Sequence, residues 1–329
     1  MYSSWELKNK IMKKIRKEEI TGKEDATKVY ILEPNFNQDF YSQRVDRNIG
    51  WITKDEQNIL RESTVGIAGV GGMGGLIASN LLRLGVGTLK IADTEEFDIS
   101  NINRQFGARK STVGKSKALV TGRLLHEISD DIQILIYPMG ITEETSINFS
   151  KGCDLVCDEI EFWALASRML LHKNCRELDV PILSCNTVGH QTNLMYFNQC
   201  SESIEKSFGV NLDEAFSIQK RIQSNSSLEK EVLDTLERIS KVLVPSEPDY
   251  NSVNNGLTLR GAVLERLKKE RKASIIATNP SFAAGFISNH VLFQLLKKSS
   301  TKREVVLPPL FPGYLSFDAG LMTASRVIR

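Results

Sequence analysis

Apolar positions in this chain fall in short runs, cut by glycine and polar residues. TVGIAGV (64–70) is an unbroken apolar run that ends in glycines, which predicts a buried strand entering a loop. LIASNLLRLGVG (76–87) carries apolar residues at helical spacing and a glycine stop, and TLKIAD (88–93) is a second buried strand. Residues 55–62 predict a short helix leading into the first strand. The alternation then repeats: helix 114–128, strand 132–137, short helix 143–150, strand 153–157, helix 164–178 and strand 181–185. NLMYF (193–197) predicts a further strand in antiparallel sense. Strands alternating with helices predict a doubly wound, mostly parallel α/β sheet of Rossmann type, its crossovers right-handed.

The alternation breaks near residue 200. Residues 201–275 are polar, with helical periodicity in 226–243 and 257–270 and a loop composition in VPSEPDYNSVNNG (244–256). Residues 279–298 resume an apolar helix, and LFPGYLSFDAG (310–320) predicts a closing strand. Residues 1–43 are polar and charged apart from KVYILEP, and predict an extension with one helix and a strand. The chain therefore divides into an extension (1–43), a nucleotide-binding core (44–200), a helical insertion (201–275) and a return to the core (276–329), which adds an antiparallel portion.

Composition narrows the function. A net charge of +2 lacks the basic field that gathers nucleic acid, so no nucleic-acid partner is expected. There is no apolar run of about 18 residues, so no membrane span is expected. The N-terminal residues lack the apolar segment of a signal peptide, and the cytoplasm is the expected location. The cysteines (Cys153, Cys157, Cys175, Cys185, Cys200) form no CxxC pair, so no zinc is expected. They read as small buried residues; Cys185 and Cys200 are weak candidates for a thioester role. His126, His172, His190 and His290 are scattered; His190, in NTVGHQTN after a strand, is a candidate near the site, with a structural role favoured for it.

The chemistry gathers around VGIAGVGGMGG (65–75). Gly69, Gly71, Gly72 and Gly74 let backbone N–H groups approach an anion, with a helix N-terminus behind them. Asp93 ends the second strand roughly 20 residues on, where a carboxylate accepts ribose hydroxyls, and Glu95 follows it. NAD, FAD and ATP all satisfy these features. Residues 98–118, DISNINRQFGARKSTVGKSKA, favour a triphosphate. Arg104 and Lys117 would fold back over the phosphates and neutralise charge as the α-phosphate is attacked, with Asn101 and Gln105 as neutral partners. A nicotinamide or flavin oxidoreductase remains an alternative, but it has no task for those two cations.

RVDRNIGW (44–51), GVGGMG (69–74), IAD (91–93), NINRQ (101–105) and GKSKA (114–118) resemble, in this order and spacing, the ThiF/MoeB/ubiquitin-activating superfamily. The resemblance covers 44–200 well and 276–320 weakly. It implies ATP-dependent adenylation of a carboxylate, assisted by magnesium, in a homodimer. Carried over, Asp93 would hold the ribose, Asn101 and Arg104 the phosphates, and Lys117 the α-phosphate. Arg47 would reach the ATP of the partner subunit. Where the family has DxxDN, this chain has Asp158-Glu159-Ile160-Glu161-Phe162. Asp158 is retained, and Glu161 stands as the metal acid.

The substrate implied is the C-terminal or side-chain carboxylate of a peptide or small carrier protein; a modified tRNA base is disfavoured by the charge. Residues 201–275 would form the substrate-facing lobe. Residues 1–43 would clamp a peptide or swap onto a dimer partner. A non-catalytic subunit of a heteromeric activating enzyme is the second alternative.

Overall fold

The computed structural model describes residues 12–224, 229–246, 253–254, 257–258, 266 and 274–329. Ten strands form one sheet: β1 (Met12–Lys14), β2 (Val29–Leu32), β3 (Thr64–Ala68), β4 (Thr88–Ala92), β5 (Gln133–Tyr137), β6 (Leu155–Asp158), β7 (Ile182–Val188) and β8 (Gln191–Phe197), with β11 (Tyr314–Asp318) and β12 (Thr323–Val327) closing one edge. The order is β1-β2-β5-β4-β3-β6-β7-β8-β11-β12. Strands β3 to β7 run parallel, and β8, β11 and β12 continue in antiparallel sense. A two-strand ladder, β9 (Val253–Asn254) with β10 (Leu257–Thr258), lies apart.

From β3 the chain first winds outward through β4 and β5, then returns to lay β6 on the other side of β3. The carboxyl ends of β3 and β6 therefore flank the crevice at which open α/β sheets bind ligands.

The helices cover both faces. Helices α1 (Gln38–Arg44), α2 (Lys54–Glu62), α3 (Gly74–Leu84) and α4 (Lys117–Ile128) precede α5 (Ser146–Ser150) and α6 (Leu165–Glu177). The lobe supplies α7 (Ile204–Phe208), α8 (Leu212–Gln223) and α9 (Lys230–Leu243), and α10 (Thr278–Leu295) returns to the sheet. One apolar cluster joins α2, α3, α4 and α10 to one face. A second joins α5, α6 and the lobe helices to the other.

Local chemistry sets the boundaries. Gly85 ends α3 in the left-handed region at φ 96°. α4 begins at Lys117, three residues later than the periodicity of 114–128 predicts, because Ser116 caps it through its side chain. The antiparallel sense expected for 193–197 is observed in β8. β12, mostly exposed, has no apolar alternation and was not visible in the sequence.

Residues 12–43 enter the main sheet. β2 pairs antiparallel with β5, and β1 pairs parallel with β2. Residues 1–11 lie outside the described residues. So does nearly all of 257–270, where a helix is expected from the sequence; only Leu257–Thr258 and residue 266 are described. The lobe docks through α8, whose Gln219 Oε1 accepts from the Ala166 N–H at 2.9 Å.

Candidate active site

β3 ends at Ala68, and Gly69 turns the chain at φ 94°. A Cβ on Gly69 would stand 2.3 Å from the Glu159 carbonyl oxygen, and one on Gly74 would stand 1.8 Å from that of Gly69. Only glycine permits this contact between the loops that follow β3 and β6. The first turn of α3 has no side-chain cap, so its N–H groups face the loop without an internal acceptor.

Asp93 follows β4. Its Oδ2 accepts from Val70 N–H and its Oδ1 from Glu95 N–H, both at 2.9 Å, which ties the glycine loop to the end of β4. Burial pushes its pKa up to about 6, against the pull of the Lys117 ammonium. Lys117, at the start of α4, is 3% exposed. Its Nζ lies 2.5 Å from Glu95 Oε2, and its backbone N–H donates to the Glu95 carbonyl at 2.9 Å.

The segment after Asp93 forms a 3-10 helix (Ile99–Asn103), capped reciprocally by Asp98 and Asn101. Asn101 is 8% exposed, and its Oδ1 accepts from Asp98 N–H at 3.0 Å. The cap aims the next two side chains over the glycines. Arg104 Nε lies 3.7 Å from where a Gly72 Cβ would stand, and Gln105 Nε2 lies 3.6 Å from the same point at Gly71. Arg104 Nη1 donates to Ser100 O at 3.2 Å and Asn103 Oδ1 at 2.9 Å. Its buried Nε has no partner, and neither has the buried Gln105 Oε1. Buried polar atoms are rarely left so. A donor and an acceptor without partners, directly over the glycine loop, fit a polar ligand lying there.

Glu161 is exposed on one side, yet its carboxyl is surrounded by enough protein that desolvation raises its pKa. The Glu95 carboxylate raises it further, and Lys117, Arg104 and Arg168 oppose the rise. The structure thus brings Glu161, Glu95, Lys117 and Arg104 within electrostatic reach of one another. Two carboxylates in mutual repulsion beside the glycine loop suit a hard divalent cation, which takes one or two protein oxygens and the rest from water or a ligand.

Two residues stand elsewhere. Asp158, expected as a metal ligand beside Glu161, is 1% exposed, and its carboxylate is already engaged. Its Oδ2 lies 2.9 Å from Arg168 Nε and 2.9 Å from His172 Nε2, and its Oδ1 accepts from Ile160 N–H at 3.1 Å. These partners outweigh desolvation and lower its pKa. Asp158 anchors α6 to the sheet, and Glu161 alone of the pair faces the cleft. Arg47 is exposed beside Asn48, whose Nδ2 donates to Leu84 O at 3.2 Å, at the far end of α3 from the glycines. An eleven-residue helix separates them by about 16 Å. Within one chain Arg47 does not join the cluster.

The sequence reading missed Arg168, His172 and the start of α10. Arg168 and His172, four apart on α6, are the i, i+4 pair that meets Asp158, a signal legible once 164–178 is read as a helix. Pro280 approaches the glycine loop, its Cβ 3.8 Å from a Cβ built on Gly72, and no local pattern announces so long-range a contact. Cys153, Cys157, Cys175 and Cys185 are buried, with thiol pKa values pushed up by burial, while Cys200 is exposed. His190 is exposed on the β7–β8 turn. Among the described residues, no cluster of three or more His, Cys, Asp or Glu forms a metal cage, and no helix is long and apolar enough to cross a membrane.

The sequence model of the ThiF family matches residues 45–326. The chain is 28% identical over 258 residues to the tRNA threonylcarbamoyladenosine dehydratase of Bacillus subtilis, covering 78% of this chain and 96% of that protein. It is 31% identical over 144 residues to the sulfur carrier protein ThiS adenylyltransferase of Escherichia coli, covering 44% of this chain and 57% of that protein. In fold it is similar to E. coli MccB with ATP, at a TM-score of 0.57 and 15% identity over 89% of this chain and 73% of that one.

Proposed function

Because this chain belongs to the ThiF family, we propose that it is an ATP-dependent adenylyltransferase acting on a carboxylate of a peptide or small carrier protein. A carboxylate oxygen attacks the α-phosphorus of ATP. The bond from that phosphorus to the bridging oxygen breaks, and an acyl adenylate and pyrophosphate result. No proton need move, so the enzyme has to position the two reactants and neutralise charge. The observation that carries the reading is Arg104 Nε and Gln105 Oε1, buried and unpartnered over Gly72 and Gly71. A redox dinucleotide gives neither that guanidinium nor the buried Lys117 a task.

In this reading Asp93 accepts the ribose hydroxyls while keeping its bonds to Val70 and Glu95. The glycine loop and the uncapped start of α3 take the phosphates, and Arg104 and Asn101 flank them. Lys117 exchanges Glu95 for the α-phosphate. Glu161 is the residue that would hold magnesium, with Glu95 near it; when bound, the metal offsets charge on the phosphates and on the departing pyrophosphate. Arg47 acts from the partner subunit of a homodimer, which its distance from the glycines in its own chain supports. The cytoplasm supplies the ATP and magnesium the reaction needs.

A second reading has one specific support. The dehydratase relative is matched over 96% of its length, and loss of water from a carboxylate is also eased once that carboxylate has been adenylated. The carboxylate would then sit on a tRNA nucleoside. ATP–pyrophosphate exchange with three substrate classes tests both readings: C-terminal peptides, small carrier proteins and tRNA. Exchange driven by peptide or carrier protein supports the first, and exchange driven by tRNA alone supports the second. Failure of ATP to bind at all overturns both.

A further inference from the structure

Beyond β6, on the lobe-facing side of the sheet, the ends of β7 and β8 carry polar side chains where apolar ones would be expected. Asn186, Asn193 and Gln191 share that face, because Asn186 pairs with Asn193 and Val188 with Gln191 in the hairpin register. Ser246, just past α9, reaches down to them. Its Oγ donates to Asn193 Oδ1 at 2.7 Å and accepts from Gln191 Nε2 at 3.1 Å, while Asn193 Nδ2 donates to the Ser246 carbonyl at 3.4 Å. Asn193, fully buried, is thereby occupied on both sides of its amide.

Its neighbours are not. Gln191 is 7% exposed, and its Oε1 has no partner. The buried Nδ2 of Asn186 has none either. One acceptor and one donor are left open on diagonal positions of one hairpin. An amide offers the matching pair, a carbonyl oxygen for Asn186 and an N–H for Gln191.

The place suits a substrate. β7 lies two strands from β3, about 10 Å at the usual spacing, on the side of the crevice where Glu161 follows β6. Asn279, at the start of α10, donates to Gly189 O at 2.7 Å, so the hairpin and the glycine loop share a wall at Asn279-Pro280.

We propose that Asn186 and Gln191 form an acyl subsite that recognises an amide next to the activated carboxylate, either the last peptide bond or a side-chain carboxamide. The subsite rests on the adenylation reading and deepens it. Asn186 Nδ2 donates to the amide oxygen, Gln191 Oε1 accepts from its N–H, and Ser246 holds Gln191 in position.

Stable acyl-adenylate mimics test this without a known substrate. Four are measured by calorimetry on the full chain: adenosine 5′-sulfamate alone, and its N-acetylasparaginyl, N-acetylleucyl and 2-acetoxy-4-methylpentanoyl derivatives. The last has an ester in place of the amide. The leucyl compound should bind about tenfold more tightly than the ester if the peptide bond is read, and the asparaginyl compound about tenfold more tightly than the leucyl if the side chain is read. In Asn186→Asp and Gln191→Leu the preference should fall to near one, with the affinity for adenosine 5′-sulfamate kept as proof of an intact fold. Equal binding of all three acyl compounds to the wild type, or a preference that survives both substitutions, overturns the subsite and leaves the adenylation reading standing. Failure of adenosine 5′-sulfamate itself to bind overturns the adenylation reading and the subsite with it.

Discussion

Lys117 Nζ lies 2.5 Å from Glu95 Oε2, a pair in which the lysine side chain is 4% exposed and the glutamate side chain 55%. The cation is thus held inside the cleft by an acid that solvent reaches, and a phosphate can replace that acid without leaving a buried charge behind. Lys117→Ala should lower the rate of ATP–pyrophosphate exchange by roughly a hundredfold or more, the scale of losing one preorganised charge at the reacting centre. The abandoned Glu95 is half in water, so the loss comes mainly from the buried lysine stem and the charge that offset Asp93 and Glu161, and unfolding free energy should fall by about 1–3 kcal/mol without unfolding the protein. Exchange kinetics and urea denaturation on the same preparation separate the two effects.

Asp93 gives the cleft a pH dependence. Its carboxyl, pushed up to about 6, is ionised at pH 7 and becomes protonated as the pH falls through that value. The ionised form is the better acceptor of ribose hydroxyls. Adenosine carries no phosphate to titrate, and its affinity should fall by up to about tenfold per pH unit below 6. Calorimetry from pH 5 to 8 reads the inflection, which Asp93→Asn should abolish.

Asp158, which ends β6, and Glu161, which follows it, should behave as opposites. Asp158→Ala strands Arg168 and His172 in the interior, and should cost about 3–5 kcal/mol of stability in urea titrations. Glu161→Gln should leave stability near that of the wild type while raising the magnesium concentration for half-maximal exchange, by roughly tenfold. A Glu161→Gln protein with an unchanged magnesium requirement would remove Glu161 from the metal site.

Arg47 tests the proposal that a homodimer shares its site. Arg47→Ala and Lys117→Ala should each be inactive alone, because one lacks the reaching arginine and the other lacks the local lysine. If the chain is a homodimer that shares its sites, the two variants mixed after subunit exchange would form heterodimers with one of the two sites intact, and about a quarter of wild-type exchange should return. No recovery after demonstrated exchange of subunits would place Arg47 outside the site.

His290, on α10, is 6% exposed between Phe286 and Phe293, and burial lowers its pKa to about 4 from an ordinary 6.5. Between those values the unfolded chain binds the proton that the folded chain refuses. Stability is therefore complete above 6.5 and is lost as the pH falls toward 4, by at most about 3 kcal/mol. His290→Phe keeps the aromatic packing and should make unfolding free energy less steep in pH over that interval.

Much of the core was legible because its signals are local. The glycines, Asp93 and the Arg104–Gln105 dipeptide each belong to one strand–turn–helix unit, and spacing alone brings them to one edge of the sheet. What escaped is what depends on tertiary pairing. Asp158 sits in the motif position of a metal acid, and only the packing of α6 shows that Arg168 and His172 hold it. Asn186 and Gln191 are ordinary strand residues until the hairpin register puts them on one face. Pro280 meets Gly72 from more than two hundred residues away, across a lobe whose length no periodicity fixes.

The ThiF-family match begins at residue 45, but the sheet does not. β2, residues 29–32, covers the outer edge of β5 in antiparallel sense. A shortened chain begun at the family boundary would lay bare the edge of a mostly apolar strand, Gln133–Tyr137, with its backbone amides facing water and ready to zip onto a neighbour. The leading segment is thus a selvedge for the sheet, and trimming it would trade a discrete molecule for a sticky one.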